Sequence, residues 1–284
     1  MTFATLGTMA LHGTEPVTGV RWVVSRDQFS GWDDGPASTV AAQQKPRSHG
    51  AWTGGAQHRA THPVLGGMMY APTEDALLDA KDRLKAACTL EPTVLTIVQG
   101  SSSRWALVQR EDEPLFRSTS PTSTSWSIQL LAADPRKFGA ELTASTGLPS
   151  STGGLTAPFT APFTVDATTV TGQVSLTNPG NATGPVRLRI DGPANPGDPA
   201  LTGPIVTHVG SGLALVFASS LVLGVGDFVT VDMEAHEVLA QGQSGRGGWI
   251  TSRGWSGFEP GPNTWSFSAV SGSGTLTVIP TEAW

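Results

Sequence analysis

A chain of 284 residues has room for two domains or one large β-domain. Charged residues make up 14% and hydrophobic residues 38%, with 34 Gly and 21 Pro, so the polar surface must come mostly from Ser, Thr, Gly and Asn, a mixture that favours pleated strands and turns over long helices. The net charge of −6, with no Lys/Arg run interleaved with aromatics, argues against a nucleic-acid binder, which needs a basic field to neutralise phosphates.

One cysteine, Cys88, rules out an internal disulfide framework and suits folding in a reducing cytoplasm. The opening "MTFATLGTMALHGTEP" shows no basic region followed by a long apolar core, so a cytoplasmic site of synthesis is expected. No stretch approaches the roughly 20 apolar residues of a membrane span, and membrane insertion is not expected.

In chain order, probable strands occupy "VRWVV" (20–24) and "PVLGGMMY" (63–70), separated by a polar loop from Ser38 to Ala60 that contains Gly50, Gly54 and Gly55. The clearest helix is "TEDALLDAKDRLKAAC". Thr73 is placed to cap it, and Glu74 and Asp75 complement the dipole of its first turn. Leu77, Ala80, Leu84, Ala87 and Cys88 form its apolar stripe, with Lys81 and Lys85 facing out. Strands follow at "TVLTIVQ" (93–99), "RWALVQR" (104–110) and "SWSIQLLA" (125–132). In the last of these Trp126, Ile128 and Leu130 alternate with polar residues, as a half-buried strand requires.

Near residue 140 the composition changes to "AELTASTGLPSSTGGLTAPFTAPFTV", almost free of charge and rich in Pro, Ser, Thr and Gly. These features predict a linker over 143–165 between domains at 1–142 and 166–284. Beyond it no helical period remains. Short strands such as "PVRLRI", "DFVTVD", "WSFSAV" and "TLTVIP" recur about every ten residues between Gly/Pro turns, the pattern of an antiparallel sandwich or jelly roll.

Neither catalytic nor metal chemistry is expected. His58-x3-His62 has metal-like spacing, but these two histidines converge only on a helix, and Pro63 and the loop glycines, with His49 alongside, oppose one. Asp232, Glu234 and Glu237 read as a solvated turn rather than as paired glycosidase carboxylates. No G-x-S-x-G elbow occurs, and "GVGD" (224–227) lacks the strand-to-helix context of a phosphate loop. Trp249, Trp255 and Trp265 could stack sugars, but a small sandwich needs tryptophan in its core. No cofactor is implied.

The order of these segments is similar to that of the distal tail proteins (minor tail proteins) of long-tailed, non-contractile phages. In the second half "TNPGNATGPVRLRIDGP", "LGVGDFVTVDMEAHEVL", "GWSGFEPGPNTWSFSA" and "TLTVIPTEAW" follow one another. There Asp191-Gly192-Pro193, Gly226-Asp227, Asp232, Trp255, Pro260-Gly261, Asn263 and Trp284 fall at the family's turn and aromatic positions. The first half adds Trp22, Gly31-Trp32, "HGAW" (49–52), the single helix and "AADPRKFG" (132–139). The "EPGPN" turn carries an additional Pro, and "IDGPANPGDPALTGPI" is a longer, more Pro-rich loop than the resemblance leads one to expect.

The resemblance implies a mainly β fold. Its first domain would be β-barrel-like, related to tail-tube proteins, with one helix; its second would be an antiparallel β-sandwich of galectin-like type. It further implies a non-enzymatic virion protein at the phage tail tip. That protein forms a homo-oligomeric ring, a hexamer, joining the tail tube protein to the tail-tip hub or tail-associated protein. The tape measure protein would be a further neighbour, and DNA would only pass through the channel. Assembly would run through the first domain, with Arg47, Trp52 and Arg59 of the 38–60 loop at neighbours or at the channel wall. The competing expectation is a carbohydrate-binding β-sandwich that contacts a host surface glycan.

Overall fold

The computed structural model describes residues 2–152 and 168–284. Two compact units divide it, Met1–Lys137 and Phe138–Trp284.

The first unit contains, in order, β1 (Thr2–Leu6), β2 (Met9–Ala10), β3 (Gly13–Thr14), β4 (Arg21–Ser30), β5 (Ser38–Gln44), β6 (Ala51–His58), β7 (Val64–Tyr70), α1 (Glu74–Ala87), β8 (Thr93–Gln99), β9 (Ser102–Arg110), β10 (Leu115–Ser120) and β11 (Ser123–Leu131). One antiparallel sheet runs β10-β11-β7-β4-β3. A second runs β2-β1-β8-β9, and β9 joins β11 through Leu130 and Leu131. No closed barrel forms. Among the described residues β10 pairs with β11 alone, and β3 covers β4 only at Arg21 and Trp22.

The helix forms where its pattern places it. Thr73 Oγ1 accepts from the Ala76 amide at 3.2 Å, and Leu77, Ala80 and Leu84 are buried. They share one core with Leu6, Leu65, Leu95 and the edge-to-face pair Trp22–Trp126, whose rings lie 5.8 Å apart at 74°. Such a pair adds about 0.5–1.5 kcal/mol beyond the area it buries.

A carboxylate ties the β3–β4 turn to this core. Glu15 accepts from the Trp22 indole at 2.7 Å, from Arg83 of the helix at 2.7 Å and from the Thr18 hydroxyl. Burial alone pushes the Glu15 carboxyl up, but the hydrogen bonds from Thr18, Arg83 and Trp22 outweigh it and hold the group below the usual carboxylate range.

The second unit begins with β12 (Phe138–Glu141), β13 (Ala144–Gly147) and β14 (Ser150–Thr152), and continues with β15 (Thr168–Val170), β16 (Gln173–Asn178), β17 (Val186–Asp191), β18 (Leu201–His208), β19 (Ala214–Phe217) and β20 (Val222–Leu223). It ends with β21 (Phe228–Asp232), β22 (Glu237–Ala240), β23 (Ser244–Gly245), β24 (Ile250–Arg253), β25 (Gly261–Ser271) and β26 (Thr275–Ala283). One sheet is β23-β22-β21-β17-β26, with β12 and β13 along the far side of β26. The other is β16-β25-β18-β19-β24. Alternate residues of the two sheets, among them Leu188, Ile190, Val231, Val278, Trp265 and Phe267, are buried in one core. This is the antiparallel sandwich that the alternation predicts.

Two expectations change. The boundary predicted at 142 and the linker predicted from 143 meet a paired segment, because Ala144–Gly147 lies in register with Val278–Thr275 and Ser145 Oγ lies 2.9 Å from Thr277 Oγ1. A Ser/Thr-rich, uncharged run reads as flexible by composition, yet its β-branched residues and hydroxyls suit cross-strand pairing. The remainder of the predicted linker, 153–165, lies outside the described residues. The segment predicted as a polar loop over 38–60 is instead a β-hairpin, β5–β6.

Two buried asparagines lock the turns at one end of the sandwich. Asn263 Oδ1 accepts from the Glu259 amide at 3.0 Å, and its Nδ2 donates to the carbonyls of Glu259 at 2.7 Å and Gly261 at 2.9 Å. Ser211 N donates to Nδ1 of buried His208, which leaves the proton on Nε2 to be donated to Asn263 Oδ1 at 3.0 Å. Gly261, at φ 90°, supplies the left-handed residue that this turn needs. Asn178 bonds Ala182, Phe258, Gly180 and Ala283 in the same fashion.

Two predictions follow from these contacts. Asn263→Ala leaves His208 and three backbone groups short of partners in a buried site. It should lower the stability of the second unit by roughly 3 kcal/mol, measured by urea unfolding. Glu15→Gln should destabilise the first unit by about 1–2 kcal/mol at neutral pH. Because the folded carboxyl titrates below its unfolded value, its contribution is fully present above about pH 4.3 and is lost as the pH falls below that. Unfolding midpoints of the variant and the parent chain should therefore converge on acidification toward pH 2.

Candidate self-association hairpin

The longest exposed element described in the first unit is the hairpin, and its root is fixed from both sides. Where β4 ends, Gly31 takes φ 74°, and a Cβ there would stand 2.2 Å from the His62 carbonyl oxygen, so only glycine allows the two strand ends to approach. Next to it Trp32 is buried, with the Lys137 ammonium 5.5 Å from its ring centre. On the returning strand Thr61 pairs with Ala132, and His62 Nδ1 lies 2.8 Å from the Glu111 carboxylate.

Beyond this root the pairing runs from Ser38↔His58 to Gln44↔Ala51, with an irregularity between Val40 and Ala42. The Lys45 amide closes the tip on the Gly50 carbonyl at 3.1 Å. Every residue of β5 and β6 is exposed, including Trp52 at 56% and Val40 at 48%. The three residues singled out from the sequence fall at different heights. Arg47 is in the tip turn, Trp52 pairs with Gln43 just below it, and Arg59 sits at the root, where its Nε donates to Thr39 Oγ1.

Other candidate sites lie elsewhere among the described residues. A cleft of about 480 Å³ beside β4, lined by Phe3, His12, Arg21, Val24, Arg26 and Phe29 among others, has cationic groups but no nucleophile paired with a base. Among the described residues no group of three or more His, Cys, Asp or Glu could hold a metal, and no helix is long and apolar enough to cross a membrane. The Cys88 thiol is pushed up to about 11 by burial, against an opposing effect of Arg110, which disfavours its thiolate at neutral pH. Asp232 Oδ1 accepts from the amides of Glu234 and Ala235 at 3.0 and 2.8 Å, a turn cap rather than half of a catalytic pair. Of the candidate sugar platforms, Trp265 is fully buried. Trp255 is half-buried with His236 stacked on it at 4.7 Å and 18°, and Trp249 lies under Arg246 at 4.9 Å.

These features define a mainly β, two-unit chain with one α-helix among the described residues, a hairpin-bearing first unit and a sandwich as the second. No family profile matches it, and no curated relative matches it. Among solved structures it is similar over 100% of its length to 99% of the Dit (gp 19.1) protein of SPP1, described as a paradigm of the hub adsorption apparatus in phages infecting Gram-positive hosts, at 13% identity and a TM-score of 0.66. The phage P2 baseplate in its Ca-activated conformation is a looser likeness, at 13% identity and a TM-score of 0.48 over 99% of this chain and 98% of that one. The SPP1 likeness shows a shared fold, in agreement with the distal tail resemblance read from the sequence.

Since the hairpin buries no residue, its removal should leave the first unit intact. Joining Ser38 to His58 through an Asn-Gly turn should change the unfolding free energy of the isolated, unassociated chain by less than about 1 kcal/mol, with an unaltered circular dichroism signal from α1.

Proposed function

We propose that this protein is a structural component of the tail tip of a phage with a long, non-contractile tail. Its copies associate through the first unit into a closed ring of six. The ring joins the tail tube to the tail-tip hub, beside the tape measure protein, around a channel that DNA crosses. The second unit is a galectin-like sandwich displayed by the ring.

The observation that carries this reading is the β5–β6 hairpin. A two-stranded ribbon is marginal in water unless it packs on something, and here all of both strands is exposed. A ring supplies the missing surface from a neighbouring copy, through a heterologous contact repeated until it closes. The first unit also ends its main sheet in two strands, β10 and β4, whose outer edges are largely unpaired among the described residues. Open edges of this kind pair with other chains or must be guarded. The fold shared with the SPP1 Dit protein supports the same reading.

The role proposed is architectural, without catalysis, and the chain would be made in the host cytoplasm and end in the virion. Glycan binding by the sandwich finds less support, because the tryptophans that could serve it are buried or covered by His236 and Arg246.

Electron micrographs of the purified full chain, or of tail tips bound by antibody to it, should show closed rings with the protein at the tube's distal end. Chains with the hairpin replaced by a turn should remain single under the same conditions. Rings of unchanged size from the shortened chain, or labelling along the tube instead of at its end, would contradict the proposal.

A further inference from the structure

Charge is arranged along the hairpin in a way that ring formation by itself does not require. From Gly35 to Thr73 the chain has no Asp or Glu, although the whole protein carries −6. The tip turn within that stretch holds Lys45, half-buried, and Arg47, exposed, with His49 alongside. Among the described residues neither cation has an ion-pair partner.

The opposite charge sits at the root. Glu111-Asp112-Glu113 is the one run of three consecutive acidic residues in the chain. It is held there because the Glu111 amide donates to the Gln129 carbonyl at 3.1 Å and its carboxylate meets His62 at 2.8 Å. Asp112 and Glu113 are exposed and have no basic partner among the described residues.

A copy cannot match its own two ends. Rising about 3.3 Å per residue, the seven residues of β5 hold the tip about 20 Å from the root. That is more than two Debye lengths at physiological salt, about 8 Å each.

We infer that the hairpin tip of one copy, through Lys45 and Arg47, docks on the acidic root turn at Asp112 and Glu113 of a second copy. Trp52, beside the tip, supplies the apolar contact between the two charged groups, as aromatic anchors within a polar rim do at interfaces. The contact is head-to-tail, so each copy offers one tip and one root, and the arrangement fixes a direction around any closed assembly. This inference rests on the reading of the first unit as self-associating.

The test uses full-length chains with the tip reversed (K45E/R47E) or the root reversed (D112K/E113K). Arg47, Asp112 and Glu113 are exposed and Lys45 is half-buried in the tip turn, and matched thermal unfolding would verify that the fold is kept. Association is followed by sedimentation velocity at low and high salt, up to the highest soluble concentration. The parent chain should associate, more weakly as salt rises. Each reversed chain alone should associate at least about tenfold more weakly. An equimolar mixture of the two should recover the parent's association, since every acidic tip then meets a basic root and every basic tip an acidic one.

Association that survives both reversals would overturn the contact while leaving the ring reading standing, and so would a mixture that fails to recover. A parent chain that stays monomeric throughout would overturn this contact as the driver of association. If the reversals leave association unchanged but the tip variant alone loses retention of a double-stranded DNA oligonucleotide, the tip belongs to nucleic acid and the inference fails.

Discussion

A β-ribbon that buries nothing must be supported from outside, and the functional reading of this chain depends on that constraint. Hydrogen bonds between two strands contribute little net free energy in water, because the unfolded strands would bond to solvent instead. Packing normally supplies the difference. Along β5 and β6 no side chain packs into the core, while the root is held with unusual care. Gly31 permits a backbone contact that any side chain would block, Trp32 is buried beside it, and Thr61 and His62 fasten the returning strand. A rigid base under an unsupported ribbon is the arrangement of an element aimed at another molecule.

The two units divide their chemistry accordingly. In the first, one core joins two sheets and the helix, and the Glu15 carboxylate ties turn to helix through three donors. The sandwich instead closes its own core between two sheets, with Asn178 and Asn263 satisfying the buried backbone at one end. Its surface ion pairs, Arg187 with Glu141 and Arg189 with half-buried Asp191, lie at solvent-accessible strand positions where each adds little to stability. They keep that face polar, whereas the hairpin strands carry no charge between Ser38 and Gln44 or between Ala51 and Gln57. Interface cores are depleted in charge in the same way.

Much of this was legible in the sequence wherever burial imposes a period. The helix declared itself through Thr73 and the Leu77–Leu84 stripe, and strands such as 125–132 and the sandwich core at Val186, Leu188 and Ile190 through alternation. The hairpin left no such trace. Its residues, "STVAAQQ" and "AWTGGAQH", face solvent on both sides, so neither face selects apolar side chains and the segment reads as loop. For the same reason Arg47, Trp52 and Arg59 could be named but not placed at tip, shaft and root. Residues 143–147 misled through composition, since Ser, Thr and Gly can pair across strands as readily as they can form a linker. The bonds from Asn178 to Phe258 and Ala283, from Asn263 to His208 and from His62 to Glu111 join residues far apart in the chain, and local pattern cannot reveal such pairings.

Amide hydrogen exchange tests the central claim most directly, because it reports on the hairpin residue by residue in free and assembled protein. In the free chain the amides of 38–44 and 51–58 should exchange within the earliest times, while those of β25 and β26 remain protected. In assembled tail tips the hairpin amides should become protected to the level of the core strands. Hairpin amides that are already slow in the monomer, or that exchange as fast in the assembly as in the free chain, would contradict the account.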